Sequence, residues 1–550
     1  MRFLRSSLTA IAICLVTTAH ALENDATSSP CFGECSWSLN SLTASGTVFI
    51  SGGDSAVSDI TPDAGWLIID CDPEATDQDI SLYCYQRDLG CDHVYDNGVV
   101  GTVVRLPENC GPMPFAIITA EWEHQQRSIP LNMEYPVAPQ IPDVRGMSLS
   151  TDFASIDYTS GHGSVMLVMV GMSTPDVAND FELDSESLAC IHQEQGLRGL
   201  VDNSLHSLIE ANADLDNHFN KSVTGASPLK LDKTVPLFSK NISCPQQGRR
   251  PAFLGTIDAT IQGTVDGNVT YGVSAGGTLI PPAIEEFAFF IDLNATFVGA
   301  LEIDASLTGS ISSGLIPLGT IDIPELNIPE ILSIGPTLSV STELTASIDT
   351  FLELDVDMAY KIEGMQLVLT SGSHSQSGTF TPEQASAPNI SVSPGAGSNA
   401  QLAAHLIPKL AFGISTFGSK AQAMLNLDLD ANATLDLSLI QPAQSSALKR
   451  GCSLGKSALN GCVDVSSGFS VNAGVDADFF KILKEGTSIT LFERDFNLVE
   501  KCFGLSAVSS AAASASRSSI STSPCPAVLV VQTNSVSCPA PSLLPANKII

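Results

Sequence analysis

Residues 425–440, "LNLDLDANATLDLSLI", place an apolar side chain at every odd position, while the even ones read Asn, Asp, Asp, Asn, Thr, Asp, Ser, Ile. Successive side chains of a strand point to opposite faces, so this period of two predicts a half-buried strand. Asp428, Asp430 and Asp436 then belong to its outer face. The same alternation fills the odd positions 257–275 of "TIDATIQGTVDGNVTYGVSA" and runs through "LNATFVGALEIDASLT", residues 293–308. In "LSVSTELTASIDTFLELDVDMAYKIE", residues 338–363, nearly every even position is apolar. That stretch would extend roughly 80 Å as one strand, so it reads as two strands joined without a change of parity or as one long bent strand. Rows of leucine, isoleucine and valine each favour burial by roughly 1.5–3 kcal/mol per side chain. They must therefore face a second sheet or one another around a barrel.

The period changes once. Leu197, Leu200, Val201, Leu205, Leu208, Ile209, Leu215 and Phe219 recur at three- and four-residue spacing, which predicts an amphipathic helix or helical pair over about 185–220. Before it, short runs such as "GTVFI", "GWLIIDC", "GTVVRL" and "FAIITAEW" alternate with Gly, Pro and Asp turns, as in a compact β module. The expected organisation is mainly β: a cysteine-rich β module over 31–145, a helical connector over 146–250, and a large antiparallel β-sandwich or elongated barrel-like domain over 251–505. Residues 371–400, rich in Ser, Gly and Pro, are expected to form a mobile loop. Residues 506–550 form a Ser/Ala/Pro tail of the kind that stays disordered.

Compartment changes the picture next. Residues 1–21 carry Arg2 and Arg5, an apolar core and a small-x-small "AHA" end, the pattern of a cleaved secretory signal. No later run reaches the length of a transmembrane helix, and the tail lacks a GPI-type apolar segment, so a secreted, extracellular or wall-associated chain is expected. Asn220, Asn241, Asn268, Asn294, Asn389 and Asn432 head N-x-S/T sequons. Asn268, Asn294 and Asn432 fall on the polar sides of their strands, which predicts that they meet solvent. Exported thiols pair. The candidates are Cys31, Cys35, Cys71, Cys84, Cys91 and Cys110, whose pairing the spacing leaves open, and Cys190, Cys244, Cys452, Cys462 and Cys502. Without Cys14 of the leader the number is odd, leaving Cys525 or Cys538 of the tail as the unpaired candidate.

Charge narrows the partners. With 59 acidic against 25 basic residues, the formal charge of −34 disfavours nucleic acid and anionic membrane surfaces. A cell-wall polymer or an apolar small molecule remain as partners. A transmembrane β-barrel would alternate similarly, but its lipid-facing band carries aromatic girdles and only 6% of this chain is aromatic.

The segments "SDITPDAGWLIIDC", "GTVVRLPENCGPMPFA", "LSIGPTLSV" and "AHLIPKLAFGIS" resemble stretches shared by secreted fungal proteins whose β-rich C-terminal part is a domain of unknown function. The resemblance covers most of residues 31–500 and implies a secreted fungal protein. It carries no catalytic residue to transfer.

Candidate chemistry is sparse. Asp428, Asp430 and Asn432 match the first three ligands of an EF-hand loop, but the sixth and twelfth positions, Gly and Glu in such loops, are Ala433 and Leu439. His192, His206 and His218 lack the i, i+4 spacing of a helical zinc site, so no metal or cofactor is expected. No G-x-S-x-G, HExxH or Walker pattern occurs, and "SGHGSV" at 160–165 reads as a glycine turn. "AEWEHQQ" puts Glu121 and Glu123 on one strand face beside His124, the one arrangement suited to a glycosidase-type carboxylate pair, with Asp70 as a further carboxylate. Three functions follow: a non-catalytic glycoprotein of the cell surface or matrix, a carrier of an apolar ligand in a β-lined cavity, and an extracellular hydrolase acting on polymers. The first fits the missing motifs best.

Overall fold

The computed structural model describes residues 29–123, 144–155, 162–175, 194–218, 227–244, 253–306, 309–348, 351–370, 373–383, 389–392, 399–417, 421–440, 460–475, 488–503, 530–532 and 535–536. In chain order its strands begin with β1 (Glu34–Asn40), β2 (Ser45–Ser51), β3 (Val57–Asp59), β4 (Trp66–Ile68), β5 (Asp77–Cys84), β6 (Val103–Arg105), β7 (Phe115–Glu123), β8 (Arg145–Ser150) and β9 (Val165–Met172). The helix α1 (Glu194–His218) follows. After it come β10 (Ser227–Cys244), β11 (Phe253–Ile280), β12 (Ala283–Ser306), β13 (Gly309–Ser312), β14 (Ile316–Asp322), β15 (Leu326–Ile328), β16 (Leu332–Ile348), β17 (Phe351–Thr370), β18 (Ser373–Glu383) and β19 (Asn389–Val392). The last are β20 (Asn399–Thr416), β21 (Ala421–Ile440), β22 (Asn460–Val475), β23 (Ser488–Phe503), β24 (Val530–Gln532) and β25 (Ser535–Val536).

Three sheets result. Sheet I runs β1-β2-β9-β11-β12-β17-β18, with β10 also on β11 and β19 on β17. Sheet II runs β23-β22-β21-β20-β16-β13-β24-β25, with β14 and β15 also on β16. Sheet III, of six strands, runs β3-β6-β7-β8-β5-β4. Sheets I and II lay their apolar rows against each other, and the odd positions of β11 (Ile261, Val265, Val269, Val273) share one core with the even positions of β16 (Ile334, Leu338, Val340, Leu344). The protein is therefore a β-sandwich. At 28 residues, β11 alone spans about 90 Å, which makes the sandwich long as well as layered.

The run over 338–363 falls into two strands of different sheets: β16 lies in sheet II and β17 in sheet I. Unchanged parity is what this crossing needs, because each half turns the same apolar row inward from opposite sides of one core. In β17 the inward set is Tyr360 and Ile362, then Leu367 and Leu369, the parity flipping at a bulge between Glu363 and Gln366. Leu425, Leu427, Leu429 and Ala431 of β21 are buried as the alternation predicts.

Helix α1 covers the outer face of sheet I. Val201, Leu205 and Leu208 pack on Val170, Met172, Ala288 and Phe290, so that part of the sheet is apolar on both faces. A Cβ on Gly276 would come within 2.5 Å of Leu197 Cδ1, so the missing side chain lets the helix approach.

Sheet III is also buried on both sides. Val103, Phe115 and Ile117 join the large core, while Val104, Ala116 and Ile118 face a smaller one with Trp66, Ile80 and Leu149. Cys31–Cys35, Cys71–Cys110 and Cys84–Cys91 form disulfides, one of the pairings that spacing left open. Asp59, fully buried, binds Arg105 and accepts from the Thr61 amide at 2.8 Å.

Two expectations are corrected. The boundaries at 145 and 250 do not separate the sheets, since β1 and β2 before the first, β9 and β10 between the two, and β11 and β12 after the second all belong to sheet I. Alternation shows that a short run is a strand but not which strand it pairs with. The segment 371–400 is not all loop: β18 and β19 both pair with β17. An edge strand facing solvent needs no apolar row, so the Ser, Gly and Thr of β18 concealed it.

Candidate functional site

The sandwich closes unevenly along its length. On one side β10 lies against β14. On the other, the edges of β17–β18 and β22–β23 leave an apolar slot of about 190 Å³ lined by Ile362, Met365, Leu367, Phe469, Val471 and Phe492, among others. Bulges shape it. The register slips between Leu293 and Ala295 of β12 and again between Glu363 and Gln366 of β17, where Gly364 takes a φ of +58°. The Gly364 amide donates to Asn294 Oδ1 at 2.7 Å, which ties the two slips together. Such irregularities bend a sheet edge and re-aim side chains, here Met365 into the slot.

A second cleft, also about 190 Å³, lies where sheet III meets the end of the sandwich and is polar. Asp77, Asp152 and Glu330 line it with Thr76, Thr151 and two phenylalanines, Phe153 and Phe417. Glu330 and Phe417 hold left-handed backbone at φ +57° and +50°, an uncommon conformation for side chains of this size. The carboxylates come from positions far apart in sequence, so no local motif could have announced them.

Of the carboxylates picked from sequence, Glu121 and Glu123 share one strand face beside Arg145. Glu121 lies 3.6 Å from Arg145 in an ion pair. Glu123 is exposed and stands opposite Arg145 in the β7–β8 register. Trp122 points to the other face of the strand and lies over Gly146, where a Cβ would fall 2.2 Å from the indole. Asp70 is exposed in the turn after β4. His124 lies outside the described residues.

On the outer face of sheet II, His405 Nδ1 meets Asp430 Oδ1 at 2.9 Å. That bond holds the imidazolium above its ordinary range against the opposing effect of burial. Lys409 and Asp428 pair at 3.8 Å beside it. These are cross-strand contacts of a solvent-facing ladder. His206 pairs with Glu210 at 3.4 Å on the exposed side of α1; His192 lies outside the described residues. Among the described residues, no group of three metal-ligating side chains converges.

Asn268 is exposed and Asn294 and Asn432 are half-buried on the outer faces, so all three lie outside the inter-sheet core. The amides differ, however. Asn294 accepts from Gly364 and donates to Asp292, and Asn432 Oδ1 accepts from the Gly468 amide at 2.9 Å. Asn241 and Asn389 lie on β10 and β19, and Asn220 lies outside the described residues, as do Cys190, Cys452, Cys525 and Cys538. Cys244 closes β10, and Cys462 and Cys502 are β22–β23 register partners.

Fold and clefts together define the class by architecture: a long two-sheet β-sandwich with one helical cover and a disulfide-stapled flank. No family model matches the chain, and no curated protein or solved structure matches it. Among the described residues, no helix is long and apolar enough to cross a membrane.

Proposed function

We propose that this chain is a secreted, non-catalytic glycoprotein of the cell surface or extracellular matrix, with the sandwich as a stiff scaffold and the disulfide-stapled flank as the binding element. One observation carries the reading: the space between sheets I and II is occupied by side chains, with Tyr271, Phe289, Tyr360 and Phe412 buried in one continuous core. A long, filled sandwich suits spacing and presentation. The polar cleft beside sheet III supports placing recognition at the junction, where a hydroxylated polymer would meet carboxylates, threonines and phenylalanines. The leader and sequons support export, and the four segments noted above support a fungal source.

A carrier function is the second reading, favoured by the slot at the β17–β18 and β22–β23 edges. Its 190 Å³ falls below the roughly 300–1,000 Å³ of sites that enclose whole ligands, so it suits one alkyl chain at most. Native mass spectrometry of the secreted, deglycosylated protein, followed by organic extraction, separates the two. The scaffold reading expects the polypeptide mass alone. A stoichiometric apolar molecule in the extract would replace it with the carrier.

A further inference from the structure

The sequon amides on the outer faces of the long strands are not equivalent. Asn268 of β11 and Asn294 of β12 are direct partners in the β11–β12 register. Opposed side chains on one face have Cβ atoms about 4.5–5.5 Å apart, so the two asparagines share one small patch of sheet I. Asn268 is exposed and makes no side-chain hydrogen bond among the described residues. Asn294 is half-buried and uses both ends of its amide: Oδ1 accepts from the Gly364 amide at 2.7 Å and Nδ2 donates to Asp292 Oδ1 at 3.1 Å. Asn432 of β21 is half-buried as well. Its Oδ1 accepts from the Gly468 amide at 2.9 Å, and a Cβ on Gly468 would lie only 2.8 Å from that oxygen and 3.0 Å from Nδ2, so the whole amide rests on β22. We propose that Asn268 carries an N-linked glycan, whereas Asn294 and Asn432 stay bare and serve as ties between strands.

Glycan transfer takes place in the secretory pathway, so this assignment rests on the export proposed above. In the transfer, the asparagine Nδ2 bonds to the anomeric carbon of an oligosaccharide diphosphate donor. The carbon–oxygen bond to the diphosphate breaks with its electron pair, and one amide proton is released. The linked nitrogen keeps a single donor and gains a bulky substituent that has to stand in solvent.

At Asn268 no hydrogen bond is given up and the substituent projects outward. At Asn294 it would draw the amide away from Asp292 and Gly364, leaving the Gly364 N–H unpaired at the point where two register slips meet. A backbone donor left without a partner is costly where water cannot replace the lost bond. A glycan rooted on Asn268 about 5 Å away would also fill the space that a second one needs. At Asn432 the amide would have to lift off Gly468 and lose the bond from its N–H. Transfer precedes strand pairing, so a chain modified at either site has to close its sheet without that tie. The folded, secreted population is therefore the one with both amides unmodified.

The test is site-by-site glycan mapping of the full chain secreted from a glycosylating host. Enzymatic release of the glycans in heavy-oxygen water turns each occupied asparagine into a labelled aspartate, which peptide mass spectrometry reads at all six sequons against an enzyme-free control. The expected result is label at position 268 and none at 294 or 432. Asn268→Gln should lose one glycan's mass from the intact protein. Thr296→Ala and Thr434→Ala, which remove the other two sequons but keep their asparagines, should lose none. Label at Asn294 or Asn432 in the folded protein would overturn the proposal. Label at Asn220, Asn241 or Asn389 with Asn268 bare would overturn it while export stands, whereas no label at any sequon would remove both.

Discussion

Tyr271 shows what one side chain contributes to joining the sheets. It leaves sheet I at β11, stacks edge-on against Phe412 of sheet II at 5.5 Å, and donates its hydroxyl to the Pro324 carbonyl at 2.8 Å. Burial is the main cause that holds the phenol in its protonated form far above the ordinary tyrosine range. A buried hydroxyl with a carbonyl partner can be removed only by leaving that carbonyl unbonded, which costs about 1–3 kcal/mol. Tyr271→Phe should therefore lower the stability by about 1–3 kcal/mol at unchanged denaturant slope. Urea unfolding followed by intrinsic fluorescence checks this. A variant as stable as wild type would mean that the hydroxyl bond contributes nothing net.

At the scale of elements, alternation made the long strands legible because each has one face in the core and one in solvent: Ala259, Ile261, Val265, Val269, Tyr271 and Val273 of β11 and Leu425, Leu427 and Leu429 of β21 are buried where the pattern put them. The helix was legible for the same reason at the other period, α1 occupying Glu194–His218 of the expected 185–220. Partnership was not legible. Nothing in "GTVFI" tells that β2 pairs with β9, 114 residues after it ends, and nothing in β18 tells that it is a strand. The clefts were hidden too, since Asp77, Asp152 and Glu330 meet only through tertiary folding. Register, once known, yields a covalent expectation. Cys462 and Cys502 stand directly opposite in the β22–β23 ladder, and opposed residues of an antiparallel pair have α-carbons about 4.5–5.5 Å apart, inside the disulfide range. Non-reducing peptide mapping should recover a Cys462–Cys502 cross-link. Finding both alkylated before reduction would show that β23 does not hold that register in solution.

For the whole molecule, the difficulty is length. Strands of 16 to 28 residues make long edges, and an exposed edge is a template for a second copy. Three of the edge strands, β10, β18 and β23, carry features that oppose such pairing. β10 has Pro228 and Pro236, a register slip between Pro236 and Phe238, and Lys230, Lys233 and Lys240 in a chain otherwise dominated by acids. β18 has Gly378 in left-handed backbone and Pro382. β23 exposes Glu493, Arg494 and Asp495 and slips twice against β22. A net charge of −34 adds repulsion between copies that salt weakens. Edge features act at contact, whereas the overall charge acts at a distance. The two therefore separate by ionic strength. The triple variant Lys230→Val, Lys233→Val, Pro236→Val should remain monomeric at low salt and associate at about 0.5 M salt, where screening is nearly complete, while wild type stays monomeric in both. Light scattering coupled to size exclusion reads the outcome. If the variant is monomeric at high salt, the lysines and proline of β10 are not what keeps the long sandwich from pairing with itself.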